Sequence, residues 1–341
     1  MRRVKLRFSR GLVVEFMDRG RAIEQVREVA ERGTYPVYVI YGPEGCGKTA
    51  LLKQAKEVLE EHGYSVIYAN PLAEDRDEAL IYTPTLRDAV KEALKLFPDL
   101  YSRIVDVAIN VAGMVMRRLR RPRVAVLMDD IFQAVGLDNA EKYVKMLLNL
   151  IEYPPGEYEK IVVLVASSEG VTRERVGRHN WAAFRLLWNM GREGFRELYN
   201  VITGPKPEFE DIWSLTGGNP RYLGRLYGAN WNPDLILNEV IKGKKLRRLV
   251  ALLNSREAEI LRDVVNNPDM LFERLKEPEA QSLERKLIEL NLIIEVWDRD
   301  MQSWIDEPPP ERDPELGIGR YYAWQTPIHR EAIKKAIETV V

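Results

Sequence analysis

Residues 37–41, VYVIY, form a short β-branched and aromatic run that stops at GPEGCGKTA, residues 42–50. From Lys48 to His62 apolar residues then recur at helical spacing. Strand, Gly-rich turn and helix in immediate succession leave few options. The glycines let backbone N–H groups approach an anion closely, and the helix N-terminus adds its dipole. Gly42–Thr49 fits G-x-x-x-x-G-K-[ST] in that strand–loop–helix context, so a nucleoside triphosphate is the expected ligand. Gly42, Pro43, Glu44, Gly45, Cys46 and Gly47 would form the cradle, with Ala50 in the first helical turn. Lys48 would reach the β- and γ-phosphates, and Thr49 would hold Mg²⁺.

Similar apolar runs follow at Tyr64–Asn70, Val124–Met128, Ile161–Ala166 and Phe184–Trp188. They alternate with helical patterns at Lys48–His62, Thr85–Phe97, Asp99–Leu119 and Asn139–Ile151, after a first helix read over Phe16–Gly33. Near-continuous β-branched runs between amphipathic helices predict an α/β fold, a parallel sheet covered by helices on both faces. The polar signatures sit just after strands, at the carboxyl edge where open α/β sheets bind ligands.

After Gly204-Pro205 the strand pattern stops. Glu208–Tyr227 and Pro233–Leu253 read as helices around GGNPR, a small helical unit. From Ser255 three helices, LIIEVW, the acidic segment EPPPERDPELG, RYYAWQ and a helix from Pro327 describe a winged helix. The expected division is a nucleotide-binding core over 1–203, a helical lid over 204–253 and a winged helix over 254–341, with EPPPERDPE as a mobile wing tip.

A single cysteine, Cys46, excludes an internal disulfide framework and fits a reducing cytosol. The most membrane-like segment, Ile104–Met116, contains Asp106 and Asn110 and falls short of the ~20 residues that span a bilayer. The N-terminus shows no signal-peptide pattern, so a cytoplasmic protein with no membrane partner is expected.

Asp129 and Asp130 end the third of the strands predicted to be parallel. Asp129 would bind Mg²⁺ through water, and Asp130 would orient the attacking water. A pair of acidic residues capping the next helix is the alternative, and for Asp130, shorter than the usual Glu, it stays open. Ser167 and Ser168 follow the next strand; either holds the lytic water or touches the γ-phosphate, or both simply open a turn. In GGNPR (217–221), Pro220 begins a helix that could present Arg221 to the phosphates. Arg173, Arg175, Arg178, Arg185, Arg192 and Arg196 crowd the segment after Ser168, and Arg178 is our choice for an arginine offered to a neighbouring subunit, should the chain form an oligomer. The three histidines show no metal-ligand spacing.

Taken together, FMDRGRAIEQV, VYVIYGPEGCGKTALL, VAVLMDDIFQ, VVLVASSEG, LTGGNPRYL and the winged helix resemble the archaeal ATPase family, a branch of the STAND and AAA+-related P-loop NTPases. The resemblance implies a P-loop core of strand order 5-1-4-3-2, a lid and a winged helix. It also implies ATP and ADP as ligands with slow or regulated hydrolysis. Asp18 and Arg19 match the family's "D-R" before the first helix and would contact nucleotide; two places on, Arg21 stands where many relatives have Glu.

The winged helix invites a DNA reading, with Gln281, Arg285 and Lys286 on the helix that would enter a groove. Charge argues against it: residues 254–341 hold 12 Lys and Arg against 19 Asp and Glu, a net of −7. Affinity for DNA rests on Lys and Arg neutralising phosphates. The basic clusters lie elsewhere, at 117–123 and in KGKKLRR (242–248). The preferred reading is a regulated Mg-dependent ATPase acting as a nucleotide-driven switch, its winged helix contacting protein. Two others stand beside it: a DNA-associated ATPase resembling origin-recognition-type initiators, and a nucleotide-binding scaffold with little turnover.

Overall fold

The computed structural model describes residues 2–73, 75–97, 100–168 and 176–340, so Asp99, Arg173 and Arg175 lie outside the described residues. Strands are numbered along the chain as β1 (Lys5–Ser9), β2 (Leu12–Glu15), β3 (Val37–Tyr41), β4 (Ser65–Ala69) and β5 (Leu80–Tyr82). They continue as β6 (Arg123–Asp129), β7 (Lys160–Ser167), β8 (Ala182–Leu186), β9 (Ile293–Glu295) and β10 (Tyr322–Trp324). Two compact units emerge: 1–4, 19–42 and 48–187 form the first, and 5–18, 43–47 and 188–341 the second.

The first unit is built on a sheet of order β5-β4-β6-β7-β3-β8. All neighbours run parallel except β4 and β5. Counted along the chain, the five parallel strands stand in the order 5-1-4-3-2 that the family resemblance implied. Val124–Met128 and Ile161–Ala166 are buried throughout, because helices cover both faces and no side of these strands meets water. Each buried Val, Leu or Ile contributes about 1.5–3 kcal/mol. The helix Leu100–Arg118 supplies Ile104, Val105, Val107, Ala108, Val111, Ala112, Val115 and Met116 to this core, which accounts for its membrane-like composition. Among the described residues no helix is long and apolar enough to cross a membrane.

Register sets the functional edge. Tyr41 stands opposite Ser167, and Asp129 opposite Ala166, so β3, β6 and β7 end together. The antiparallel edge strand β5 went unread in the sequence, since three residues are too few for a period to show. The first helix also differs from expectation, starting at Gly20 rather than Phe16. The cause is local: β2 runs to Glu15, and Asp18 and Arg19 both take left-handed conformations (φ 59° and 62°).

In the second unit the antiparallel hairpin β1–β2 accompanies helices Arg192–Val201, Phe209–Thr216, Pro220–Gly228, Pro233–Gly243 and Leu246–Ala251. Helices Ser255–Asn266, Met270–Glu273 and Pro278–Glu289, the pair β9–β10 and helix Pro327–Val340 complete a winged helix. One apolar cluster runs through all of it, from Phe195, Leu223 and Leu226 to Ile260, Leu283, Trp324 and Ile333.

The acidic Pro-rich segment, expected to be mobile, is tied down. The Arg299 guanidinium donates to the carbonyls of Val296 (2.8 Å), Glu311 (3.2 Å), Gly319 (2.9 Å), Pro310 (3.3 Å) and Arg320 (2.6 Å). One planar five-donor group thus replaces the ladder the segment lacks.

Candidate nucleotide site

In the first unit, β3 feeds directly into Gly42, whose position only glycine can fill. A Cβ there would stand 2.0 Å from the Leu187 carbonyl oxygen, at φ 155°. Lys48 is buried, and its Nζ donates to the Gly42 carbonyl at 2.9 Å, folding the side chain back along its own loop. Asp129, at the end of β6, is buried to 1% exposure. Its Oδ2 accepts from the Tyr68 hydroxyl at 2.8 Å, and the Thr49 side chain also bonds it. The other oxygen, Oδ1, is buried without a hydrogen-bond partner among the described residues. Burial, then the charge of Asp130, pushes the Asp129 carboxyl up to about 6, against the Tyr68 and Thr49 bonds and the Lys48 charge. Desolvation, then the Asp129 charge, drives the Tyr68 phenol far above its ordinary value, so Tyr68 stays protonated and donates to Asp129.

Asp130 follows in a left-handed conformation (φ 49°), with Ser168 Oγ 3.5 Å from its Oδ1. Ser167 is buried at the end of β7. Thr49, Asp129 and Lys48 are therefore brought together as the sequence implied. The orphaned Asp129 oxygen and the Thr49 hydroxyl are hard oxygen donors, and they fit a magnesium ion.

The Pro43–Gly47 segment of the loop belongs to the second unit. The Glu44 N–H donates to Gln325 Oε1 (2.9 Å), and its carbonyl accepts from Asn219 Nδ2 (3.0 Å). Asn219 also donates to Asn189 Oδ1 (2.8 Å), and Asn189 to the Gln325 carbonyl (2.9 Å). These three amides are buried at 0%, 4% and 2% exposure for Asn219, Asn189 and Gln325. The Glu44 carboxylate pairs with Arg221 (2.9 Å) and Lys244 (3.5 Å). Arg221 lies so close over Gly45 that a Cβ there would come within 2.4 Å of the Arg221 Cβ.

A family model described as "ATPase domain predominantly from Archaea" matches residues 16–226, from the segment before the first helix through the loop and Arg221. The chain belongs to this archaeal ATPase family. An uncharacterised ATP-binding protein of Pyrococcus abyssi is 25% identical, over 81% of this chain and 98% of that protein. A solved Walker-type ATPase of Pyrococcus abyssi has the same fold, with a TM-score of 0.50 at 15% identity, covering 94% of this chain and 96% of that one.

Pro220 opens the helix Pro220–Gly228, and Asn219 caps it by accepting from the Tyr222 N–H. That helix carries Arg221, as the GGNPR motif suggested. Asp18 packs against Gly194, and Arg19 is buried at 5% exposure. Cys46 is fully buried in the loop. Arg178 is exposed. Lys244, Asn189 and Gln325 were missed as loop partners. Lys244 sits in KGKKLRR, which looks like a solvated charge run, and nothing local points an Asn or Gln at a residue over a hundred positions away.

Proposed function

We propose that the chain binds ATP and hydrolyses it slowly with Mg²⁺, as a nucleotide-driven switch. The observation that carries this is the buried Asp129, bonded by Thr49 and Tyr68 and keeping one oxygen without a protein partner. A buried carboxylate oxygen is costly unless something satisfies it, and a cation at that point does so. Magnesium, held by Thr49 and by Asp129 through water, would neutralise charge on the phosphates. Lys48 exchanges its internal carbonyl partner for phosphate oxygens. The loop glycines would bring N–H groups close to the phosphates, Arg221 would add a cation, and Asp18 and Arg19 would contact the nucleotide. Asp130, with Ser168 Oγ 3.5 Å from its Oδ1, orients the water, and Ser167 at the end of β7 helps to hold it. Arg178 is the residue available to a neighbouring copy.

Phosphate release by wild type, Lys48→Ala and Asp130→Asn, with and without Mg²⁺, tests this. Mg-dependent release above the Lys48→Ala level supports turnover. Tight ATP binding without such release would leave a nucleotide-binding scaffold instead.

The winged helix serves protein contacts in this reading. Of the three side chains that would enter a DNA groove, Gln281 donates to the Leu275 carbonyl (2.7 Å) and Lys286 pairs with Glu257 (2.5 Å), leaving Arg285 exposed. Lys244 of the basic run is likewise engaged, by Glu44 and the Leu290 carbonyl. Salt-titrated DNA binding is the test; high affinity with a steep salt slope would overturn the protein-contact role.

A further inference from the structure

We propose that Lys244 is a second phosphate-binding cation beside Arg221, and that the Glu44 carboxylate competes with the nucleotide for both. The inference rests on the ATP-binding function proposed above and names a residue the sequence motifs do not.

Three observations carry it. First, two cations from different helices converge on one loop carboxylate: Arg221 from the first turn of Pro220–Gly228, and Lys244 from the end of Pro233–Gly243. Two positive charges against one negative leave a surplus that a multiply charged phosphate chain fits better than a single carboxylate. Second, Lys244 is not a solvated surface lysine. Its side chain is 18% exposed, and its Nζ donates to the Leu290 carbonyl at 2.8 Å, which fixes where the charge sits. An ammonium in that position costs free energy unless an anion is beside it. Third, the Glu44 backbone is clamped on both sides while its carboxylate is not. Gln325 holds the N–H and Asn219 the carbonyl, so the side chain can change partners without moving the loop. Arg221 already lies over Gly45, whose loop takes phosphate through its N–H groups in the proposed function.

The exchange is therefore local. Phosphate oxygens take over the Arg221 and Lys244 donors, and the Glu44 carboxylate is released to water. The loop thereby opposes binding of its own ligand until enough negative charge arrives to displace Glu44. Triphosphate displaces it best, diphosphate less, and a monophosphate hardly at all.

The test is calorimetric titration of the full chain with ATP, ADP and AMP. Glu44→Gln keeps side-chain length and both backbone clamps. It should tighten ATP about 5- to 20-fold, ADP less, and leave AMP unchanged. Lys244→Gln should weaken ATP about fivefold or more, whereas Lys244→Arg should stay near wild type. In the Lys244→Gln background the Glu44→Gln gain should shrink to the part that comes from releasing Arg221 alone. A full gain in that background would mean that Glu44 merely repels nucleotide, and it would overturn the assignment, as would no gain in Glu44→Gln itself. Without nucleotide, amide exchange over 242–248 should quicken in Glu44→Gln; unchanged exchange counts against the pairing. Binding by wild type no better than by Lys48→Ala would remove the proposed function and Lys244's role with it. Binding above that level with no Glu44–Lys244 coupling overturns this inference alone.

Discussion

Asp129→Asn should make the protein more stable in the absence of magnesium and nucleotide, although it removes a residue placed at the centre of the chemistry. The carboxyl is held at about 6 against an ordinary 3.8. At 1.36 kcal/mol for each pH unit, keeping Asp129 ionised at neutral pH costs the fold about 3 kcal/mol. The folded chain holds the extra proton between pH 4 and 6, so stability from this group is present at low pH and lost as pH rises through about 6. Asparagine carries no charge to bury and can still accept from Tyr68. Its amide finds no acceptor where Oδ1 now lies, a penalty of about 1 kcal/mol. The variant should therefore exceed wild type by about 2 kcal/mol at pH 7.5, and the advantage should vanish towards pH 4. Urea dependence of hydrogen exchange at β6 and β7 amides reads this in the first unit alone. Saturating Mg-ATP should reverse the order, since wild type gains about 2.7 kcal/mol at a hundredfold excess over Kd and the variant gains less. An Asp129→Asn protein less stable than wild type at pH 7.5 without ligands, or a difference that ignores pH, would refute the argument.

Other outcomes follow from single contacts. Gly42→Ala places a methyl 2.0 Å from the Leu187 carbonyl oxygen, so thermal unfolding should show a loss of about 3 kcal/mol or more. Tyr68→Phe removes a hydrogen bond that favours ionised Asp129, so the acid limb of the turnover–pH profile should move up by about one unit. Arg299→Ala frees the carbonyls of Pro310, Glu311 and Gly319, and limited proteolysis over 307–316 should quicken about tenfold with the helices intact.

The parts of the fold legible in the sequence were those that local chemistry dictates. VYVIY, VAVLM and IVVLVA read as doubly covered parallel strands because each residue had to be apolar, and GPEGCGKT read as a phosphate loop because its glycines and lysine act within one turn. Short elements escaped. β5 has three residues, and β1–β2 pairs KLRFS with LVVE, strands of five and four residues, too short for their alternation to stand out. The start of the first helix was misplaced because two successive left-handed residues, Asp18 and Arg19, leave no mark in propensity. The wing tip looked mobile because Arg299, the residue that ties it, lies outside the segment.

Glu44 shows where local reading stops. In the sequence it is one variable residue of a loop; in the fold its N–H, carbonyl and carboxylate each find partners between 175 and 281 positions away. The sequence by itself determined that the chain has a phosphate loop, a parallel sheet covered by helices, and acidic residues at its carboxyl edge, since period and backbone freedom are written locally; the strand order came from the family resemblance. Only the tertiary structure decided that Asp129 keeps an oxygen with no partner among the described residues, that Ser168 comes within 3.5 Å of Asp130, and that Lys244 pairs with the phosphate loop. Burial and charge pairing arise between segments far apart in the chain, and no window along it contains both partners.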